Sequence, residues 1–583
     1  MVSPHETPGR EGQPPLPAFE SAASRSWVRH VERAALALAG GFLTNAAFPG
    51  QGWWPLAVVG VACLLSALRG LRLRPAAGIG ALWGLAFFLP HVRWAVDATG
   101  SLLPWVALSV MQASYIAGFG ALWAWTAGSH AFRDHPVRAA VAASFLWVAV
   151  EQVRASWPFG GLPWGGLAFS QTNGPLLRLA PYGGEILVSA TVAFSGALLA
   201  TAWQAAGRGQ RLPAAVAAVA VIALLVTPAL LPVYAGEEAG SLRVGAVQGN
   251  VPERGADWEV QARDVTGNHA DGTTRLLASA TEQLDVVLWP ESAADIDPRT
   301  DTAQAALVDA AARAAGAPVV LGTQRFPPDE DVRYNEMVVW QAGLGAGATY
   351  AKQHPVPFGE YVPYRDLFRQ ITPLVDQIGT DMAAGTEPSL LPVPIARLDR
   401  DVPVVVGICF EVAYRDLVRE GVLAGGELIL IPTNNASFGL TAESTQQLAM
   451  SRFRAAEHVR ATVQISTVGV SAIVMPDGTV AERTGLFTAE ELTGVLPLRT
   501  SLTPAARLGK TPDLVVLVVT LLVVAAAARG LGLRATVTTG AGRGHRAFRT
   551  GRSMGSVRHR RHLAAQSIQG QVHQPPPGCA RRR

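Results

Sequence analysis

The sequence predicts a multi-span α-helical membrane domain with eight transmembrane helices, joined to a domain of alternating strands and helices (α/β). The first observation is a series of apolar runs, each close to the ~20 residues that cross a bilayer as a helix. The second is that charged residues are only 16% of the 583 residues, against about 25% in soluble domains. The third is a segment after residue 236 in which short β-branched strands alternate with helical stretches.

The apolar runs divide the chain into predicted domains. They lie near residues 31–49, 53–69, 76–95, 102–127, 139–157, 185–206, 212–235 and 511–528. We therefore predict a membrane domain with seven helices at 26–235, an extramembrane domain at 236–505 and the eighth helix at 506–529. Residues 1–25, rich in Pro, Gly, Ser and Glu, and the basic tail 530–583 are predicted to be disordered. No cleavable signal peptide is evident, because further apolar runs follow the first one at once.

Arginine in the short loops predicts the orientation in the membrane. Basic residues precede the first run and follow the second, fourth, sixth and eighth runs, at Arg25, Arg29, Arg33, Arg69, Arg72, Arg74, Arg133, Arg138, Arg208, Arg211 and in the tail. Basic loops concentrate on the cytoplasmic side, so both termini are predicted inside and residues 236–510 outside. Cys63, Cys409 and Cys579 then fall in three compartments, which leaves no intramolecular disulfide.

The extramembrane segment contains five short apolar stretches with the composition of buried strands. They lie at 242–248, 284–289, 318–322, 404–408 and 428–431, and helical stretches such as 303–315 and 441–460 separate them. Strands of this kind are typical of a sheet that is covered on both faces. The segment is therefore predicted to fold as an α/β domain.

Lysine is almost absent from the chain, which draws attention to the two that remain. Arginine occupies nearly every basic position, and lysine occurs only at Lys352 and Lys510. Arginine cannot replace lysine where a compact point charge, or an amine that can lose its proton, is required. Lys352 is therefore a candidate for chemistry, and an ordinary surface lysine is the alternative.

Three groups that stand at strand ends or just after them could together carry out acyl transfer through a thioester. Cys409 is either a buried small hydrophobe or a nucleophile, and a thiol must lose its proton to attack. Glu291 could take that proton and return it to the leaving group, and the ammonium of Lys352 could hold the oxyanion. A Cys–His arrangement also stays open, because His354 and His458 could approach the thiol in space.

Several motifs resemble one family. Segment 242–500 resembles the carbon–nitrogen hydrolase (nitrilase) superfamily, and with its membrane runs the chain over about 30–530 is similar to the apolipoprotein N-acyltransferase family. The motifs are Trp289-Pro290-Glu291, Lys352 followed by Pro-Phe-Gly-Glu-Tyr-Val-Pro at 357–363, Gly407-Ile-Cys-Phe-Glu411, Glu151-Gln-Val-Arg154 with Gly161-Leu-Pro-Trp164, Gln248-Gly-Asn-Val-Pro252 with Trp258, and Gly469-Val-Ser471. This resemblance implies an αββα sandwich for the extramembrane domain.

The resemblance also implies a role for individual residues. Glu291 would be the general acid and base, Lys352 the oxyanion stabiliser and Cys409 the nucleophile. The supporting residues would be Glu360, Glu411 and Phe410, and Trp258 would lie on a substrate loop. Glu411 could equally be a structural ion-pair partner, Trp258 an interfacial anchor, and Glu151 and Arg154 a pair at a helix end. The chain departs from the family at Phe410, where Tyr is common, and at Ser437 and Val468.

The implied reaction is transfer of an acyl chain from a membrane phospholipid to the N-terminal amine of S-diacylglyceryl-cysteine in lipoproteins. The implied location is a bacterial plasma membrane, with the catalytic domain on the extracytoplasmic side and with membrane lipid around the helices. No metal or organic cofactor is implied. No Gly-rich phosphate loop of Walker or Rossmann spacing is present, and no nucleic-acid partner is expected. Two alternatives stay open: a membrane-tethered amidase or nitrilase that hydrolyses a small amide, and a non-catalytic scaffold or transporter.

Overall fold

The N-terminal part of the molecule is a group of packed helices. The computed structural model describes residues 20–235, 238–251 and 258–541. The helices of this part are α1 (Glu20–Ala46), α2 (Leu56–Ala67), α3 (Leu73–His91), α4 (Trp94–Thr99), α5 (Leu102–Ala127), α6 (His130–Arg133), α7 (Pro136–Ser156), α8 (Ala180–Gly207) and α9 (Arg211–Val226). They coincide with the seven apolar runs predicted there, and α4 and α6 are short connecting helices.

Six helices in the described part of the chain are long and apolar enough to cross a membrane. They are Leu73–His91, Leu102–Ala127, Pro136–Ser156, Pro175–Gly207, Arg211–Leu230 and Thr511–Arg529. The first two predicted spans are not among them: α1 has 27 residues but includes Arg29, Glu32 and Arg33. Helix α2 has 12 residues, about 18 Å at 1.5 Å per residue, against the ~30 Å hydrocarbon core. The predicted count of eight is therefore not confirmed.

Small residues bring α3 and α5 close together. A Cβ atom at Gly80 would lie 2.4 Å from the carbonyl oxygen of Ile116, and one at Gly84 would lie 2.8 Å from the Cα atom of Ala113. Membrane helices that cannot use the hydrophobic effect against lipid associate through such close backbone packing. The two glycines therefore fix the distance between α3 and α5.

The extramembrane part contains two six-stranded sheets and the helices that cover them. The strands are β1 (Glu238–Gln248), β2 (Val286–Leu288), β3 (Val319–Arg325), β4 (Tyr334–Gln341), β5 (Gly345–Ala351), β6 (Leu390–Ile395), β7 (Arg400–Val406), β8 (Leu428–Thr433), β9 (Thr462–Ser466), β10 (Ala472–Val474), β11 (Val480–Arg483) and β12 (Glu490–Arg499). The helices of this part are α10 (Trp258–Ser279), α11 (Thr302–Ala315), α12 (Arg365–Arg369), α13 (Arg415–Leu423), α14 (Glu443–His458) and α15 (Pro504–Leu508). The last helix, α16 (Thr511–Ala541), contains the apolar segment Thr511–Arg529 that is long enough to cross a membrane.

Both sheets have parallel strands at the centre and antiparallel strands at the edges. The strand orders are β12-β1-β2-β3-β4-β5 and β11-β10-β9-β8-β7-β6. Strands β1, β2 and β3 are parallel in the first sheet, and β7, β8 and β9 are parallel in the second. The carboxyl ends of parallel strands lie at one edge of a sheet, which brings the segments that follow β2, β7 and β8 towards each other.

Alternation along the strands shows how the layers pack. Val286 and Leu288 of β2 belong to the core between the sheets together with Ile429 of β8, whereas Val287 packs with Val308 of α11 on the outer face. A strand with both faces buried reads as a continuous apolar run, as β2 does. Helices α10 and α11 cover the first sheet, and α13 and α14 cover the second. This arrangement confirms the predicted αββα sandwich.

The membrane helices and the sandwich share a polar contact at the last helix. Arg415 of α13 forms an ion pair of 2.8 Å with Asp513, in the first turn of α16. Gln152 of α7 donates a hydrogen bond of 2.8 Å to the same carboxylate. One carboxylate therefore connects α7, α13 and α16.

The first and the last helix extend beyond their predicted limits. Helix α1 begins at Glu20 and α16 ends at Ala541, so both helices enter segments for which the sequence predicts disorder. The remaining predicted disorder, at 1–19 and 542–583, lies outside the described residues.

Candidate active site

Glu291 follows β2, in a buried position where both carboxylate oxygens accept hydrogen bonds. Asn335 Nδ2 donates to Oε1 at 2.6 Å, and the backbone N–H of Asn434 donates to Oε2 at 2.7 Å. Burial raises the pKa of Glu291 above its usual range, although the ammonium of Lys352 opposes that shift. A carboxyl group with a raised pKa can both accept and return a proton near neutral pH.

Lys352 follows β5, and its side chain is completely buried. Its Nζ atom lies 2.6 Å from Glu360 Oε1 and 3.6 Å from Glu291 Oε1. Burial by itself lowers the pKa of Lys352, but the carboxylates of Glu360 and Glu291 outweigh it and raise that pKa above its usual range. The amine is therefore a fixed ammonium, and Glu360 is itself oriented by a hydrogen bond of 2.7 Å from the backbone N–H of Val356.

Cys409 lies on the turn after β7, with a backbone φ of +56° and 5% of its surface exposed. A positive φ is uncommon for a residue other than glycine, and such strain persists where the surrounding structure enforces it. Burial and the negative charge of Glu291 raise the pKa of the thiol well above its usual range, while Lys352 lowers it. The thiol is thus protonated at rest, and a neighbouring base has to remove its proton before attack.

Glu411 connects the nucleophile turn to the segment that carries Lys352. Its Oε2 atom accepts hydrogen bonds from the backbone N–H of Ile408 at 2.8 Å and the hydroxyl of Tyr350 at 3.0 Å. Its Oε1 atom accepts from the backbone N–H groups of Gln353 at 2.7 Å and His354 at 3.0 Å. Burial raises the pKa of Glu411 to about 7, and Lys352 opposes the shift. These contacts fit the supporting role better than the ion-pair alternative.

Two family models and the curated relatives cover the membrane part and the sandwich together. The model of the apolipoprotein N-acyltransferase N-terminal domain matches residues 40–198, and the carbon–nitrogen hydrolase model matches residues 243–501. An apolipoprotein N-acyltransferase of Mycolicibacterium smegmatis is 35% identical over 509 residues, which cover 81% of this chain and 81% of the relative. The chain belongs to the apolipoprotein N-acyltransferase family.

A second relative and a solved structure are also similar to the chain. An apolipoprotein N-acyltransferase of Pseudomonas paraeruginosa is 32% identical over 507 residues, which cover 82% of this chain and 92% of the relative. Among solved structures, an amidase from Nesterenkonia sp. is 15% identical, with a TM-score of 0.33, and the match covers 47% of this chain and 96% of the amidase. Membership of the apolipoprotein N-acyltransferase family makes the protein an acyltransferase with membrane-embedded helices.

Phe410 occupies the position where Tyr is common in apolipoprotein N-acyltransferases. Its ring stacks on Trp164 with centroids 4.7 Å apart, makes an edge contact with Trp94 at 5.6 Å, and lies tilted against Phe438 at 6.0 Å. Trp94 and Trp164 belong to the membrane part of the chain. The ring next to the nucleophile is therefore held by two tryptophans from connecting segments of the membrane part, on α4 and on the loop after α7, and this packing needs no hydroxyl.

The predicted membrane-edge motif supports that aromatic contact. Arg154 is buried and donates hydrogen bonds from Nη1 to the backbone carbonyls of Leu162 at 3.0 Å and Trp164 at 2.5 Å. Glu151 instead accepts from Trp147 Nε1 and the backbone N–H of Leu167, both at 2.9 Å. The motif thus fixes the loop that carries Trp164, rather than forming the simple helix-end pair.

Trp258, Ser437 and Val468 are the remaining residues that the sequence singled out. Trp258 is 61% exposed and lines a cavity of about 600 Å³ together with Asp295, and residues 252–257 before it lie outside the described residues. Ser437 is exposed, whereas Val468 is fully buried. The structure gives no explanation for the departures from the family pattern at Ser437 and Val468.

The two histidines that could have paired with the thiol have other neighbours. His354 stacks on Tyr414 with centroids 4.4 Å apart. His458 is buried near Arg454 and Arg460, which together with burial lower its pKa well below the usual range. The charged groups that interact with the Cys409 thiol include Glu291 and Lys352, so the geometry favours a Glu–Lys–Cys arrangement.

Sequence reasoning missed the two asparagines that orient Glu291. Asn335 lies on β4, opposite Gln324 of β3, and Asn434 follows β8. Asn434 lies three residues after the predicted strand at 428–431, near the edge where the ends of parallel strands meet, but it contacts Glu291 through its backbone N–H, which the residue type does not reveal. No comparable signal marked Asn335, since β4 was not predicted.

Proposed function

We propose that the protein transfers an acyl chain from a membrane phospholipid to the N-terminal amine of S-diacylglyceryl-cysteine in lipoproteins, through a thioester on Cys409. One observation carries this proposal: Lys352 Nζ lies between the carboxylates of Glu360 and Glu291, beside a buried thiol with which it interacts. This arrangement supplies a base, an oxyanion partner and a nucleophile at one point.

In the first step Glu291 takes the thiol proton, and Cys409 Sγ attacks an ester carbonyl of the phospholipid. The oxygen of that carbonyl becomes negative, and Lys352 stabilises it. Collapse of the intermediate breaks the ester bond, and Glu291 returns the proton to the leaving alkoxide. The products are an acyl thioester on Cys409 and a lysophospholipid.

In the second step the lipoprotein amine attacks the thioester carbonyl. Glu291 removes a proton from the amine nitrogen, Lys352 again stabilises the oxyanion, and the sulfur leaves. The proton returns to Sγ, so the enzyme is regenerated and an amide has formed. Phe410 and the tryptophans around it hold the nucleophile turn against the membrane helices during both steps.

The location of the substrates explains the membrane helices. Both substrates carry lipid chains, and each CH₂ that leaves the bilayer loses about 0.8 kcal/mol. An active site beside the membrane avoids that loss. The distribution of arginine supports placing the sandwich on the extracytoplasmic side of the bacterial plasma membrane, and the domain limits predicted above stay predictions.

The proposal is tested by labelling purified full-length protein with a phospholipid that is radiolabelled in its acyl chains. The label is expected to appear on Cys409 as a hydroxylamine-sensitive thioester, and to leave as an amide when a diacylglyceryl-cysteine peptide is added. Cys63→Ser is the matched control, because Cys63 is also buried but lies in α2. Absence of label from the wild type, or label that persists in Cys409→Ser, would contradict the proposal.

A cellular measurement separates the proposal from the amidase and scaffold alternatives. Mass spectrometry of a lipoprotein N-terminus should show one additional acyl chain when the protein is present. An amidase would hydrolyse a small amide and leave the acyl count unchanged. A scaffold would keep its function after Cys409→Ser, Glu291→Gln and Lys352→Met.

A further inference from the structure

A second buried carboxyl group lies close to the nucleophile, outside the machinery described above. Glu443 begins α14 and has no exposed surface. Its Oε2 atom accepts a hydrogen bond of 2.7 Å from Asn435 Nδ2. Its Oε1 atom is buried without a hydrogen-bond partner among the described residues. A buried polar atom without a partner costs stability, so this position calls for a functional explanation.

Hydrogen bonds connect this carboxyl group to the thiol. Asn435 Nδ2 also donates to Gln447 Oε1 at 2.9 Å, and Thr433 Oγ1 donates to the same Gln447 oxygen at 3.0 Å. The Thr433 side chain also interacts with the Cys409 thiol and lowers its pKa. All three connecting side chains are buried. Shared acceptors and low solvent access make such a cluster rigid.

The charge of Glu443 matters to its neighbours. Burial raises its pKa to about 8, the hydrogen bond from Asn435 opposes that shift, and the charge of Glu291 adds to it. Glu443 is therefore mainly neutral at pH 7. The titratable groups around the cluster are Glu291 after β2 and Cys409 after β7, with Lys352 beyond them. On the membrane side His91 contacts α14 one turn later, through a hydrogen bond from Gln446 to its carbonyl oxygen.

We propose that Glu443 is a positioning residue for thioester formation, which holds the Cys409 thiol towards Glu291 through Asn435, Gln447 and Thr433. While Glu443 is neutral, it places no negative charge near the thiolate. This inference rests on the proposed function of Cys409 and adds a residue to it. When Glu443 ionises, its negative charge raises the pKa of the Cys409 thiol. We therefore expect ionisation of Glu443 to lower the rate of thioester formation on the alkaline side of the pH profile.

Two measurements on the purified full-length protein test the inference. The first is the rate at which iodoacetamide alkylates Cys409, followed by mass spectrometry of its peptide from about pH 6.5 to 9.5. The second is the single-turnover rate of thioester formation from phosphatidylethanolamine labelled in its acyl chains. Glu443→Gln keeps the size and the acceptor oxygen but cannot ionise. Glu420→Gln is the matched control, because Glu420 is exposed in the neighbouring helix α13.

At pH 7 the Glu443→Gln variant should match the wild type within about twofold in both rates. At about pH 9 it should exceed the wild type about tenfold in both rates, because the ionised Glu443 of the wild type raises the pKa of the thiol and lowers the thiolate fraction. Glu420→Gln should follow the wild type throughout. Glu443→Leu also cannot ionise, but it removes one of the two acceptors of Asn435 Nδ2, so it should form the thioester about tenfold more slowly than Glu443→Gln at every pH.

Coincident profiles of Glu443→Gln and the wild type up to about pH 9.5 would overturn the inference, even if Glu443→Leu failed to fold. A folded Glu443→Leu that forms the thioester as fast as Glu443→Gln would overturn the positioning role as well. A wild type whose thiol is alkylated normally but never acquires the acyl label would refute acyl transfer itself. The two failures are therefore distinguishable.

Discussion

Replacing Lys352 by arginine tests the centre of the proposed site, because it keeps the charge and changes only its shape. Nζ lies 2.6 Å from Glu360 and 3.6 Å from Glu291, and the lysine side chain has no exposed surface. A planar guanidinium is wider than an ammonium and cannot occupy this space without moving one of the carboxylates. The oxyanion donor would then be misplaced, and losing one such donor costs about 3 kcal/mol, or about 100-fold in rate.

The assay is single-turnover formation of the acyl thioester from a labelled phospholipid. Lys352→Arg is expected to form it about 100-fold more slowly, and forcing a larger group into the packed site should lower the free energy of unfolding by about 1–3 kcal/mol. Lys510→Arg is the control, because Lys510 is exposed. A rate for Lys352→Arg within about threefold of the wild type would show that the compact ammonium is not required, and the reasoning would be refuted.

Three further substitutions test other parts of the structure. Glu411→Gln should lower the free energy of unfolding by about 2 kcal/mol, because an amide NH₂ would face a backbone N–H; an unchanged denaturation midpoint would contradict this. Arg454→Met should cost about 3–5 kcal/mol, since it leaves two carboxylate partners of a fully buried arginine uncompensated, and thermal unfolding in detergent measures it. Gly84→Ala should destabilise by about 1–3 kcal/mol, because its Cβ atom would lie 2.8 Å from Ala113; Gly78→Ala, with open space around it, should leave unfolding within about 1 kcal/mol of the wild type, and equal effects of the two would refute the packing argument.

The predicted strands were those whose side chains are apolar on both faces. All five predicted stretches lie on β1, β2, β3, β7 and β8, which form much of the parallel centres of the sheets. The antiparallel strands escaped prediction for physical reasons. Strand β5 is Gly-Ala-Gly-Ala-Thr-Tyr-Ala, which has no apolar alternation. Strand β9, although parallel to β8, was also not predicted: it is fully buried but includes Gln464, whose side chain accepts a hydrogen bond from Ser451 and donates one to the carbonyl of Val470.

The membrane part shows the same limit in another form. Hydropathy located the apolar segments, but it could not distinguish a short buried helix from a span. All but three of the twelve residues of α2 are buried, so neighbouring helices surround it and its apolar character reflects protein packing. The short motifs around Glu291, Lys352 and Cys409 made these residues candidates from the sequence alone. The orientation of Glu291 depends on Asn335 and Asn434, which only the folded sheets bring together.

The carboxylate of Asp513 has a consequence for how the enzyme is made. Asp513 lies in the first turn of α16, after the whole sandwich in the chain, and it connects Arg415 of α13 with Gln152 of α7. Helix α13 begins shortly after the nucleophile turn. During synthesis the sandwich therefore lacks this cross-connection until the last helix has been inserted. A chain truncated before α16 would carry the thiol and its base but would lack this contact between α13 and the membrane helices. The geometry of the nucleophile turn therefore depends on the completed polypeptide.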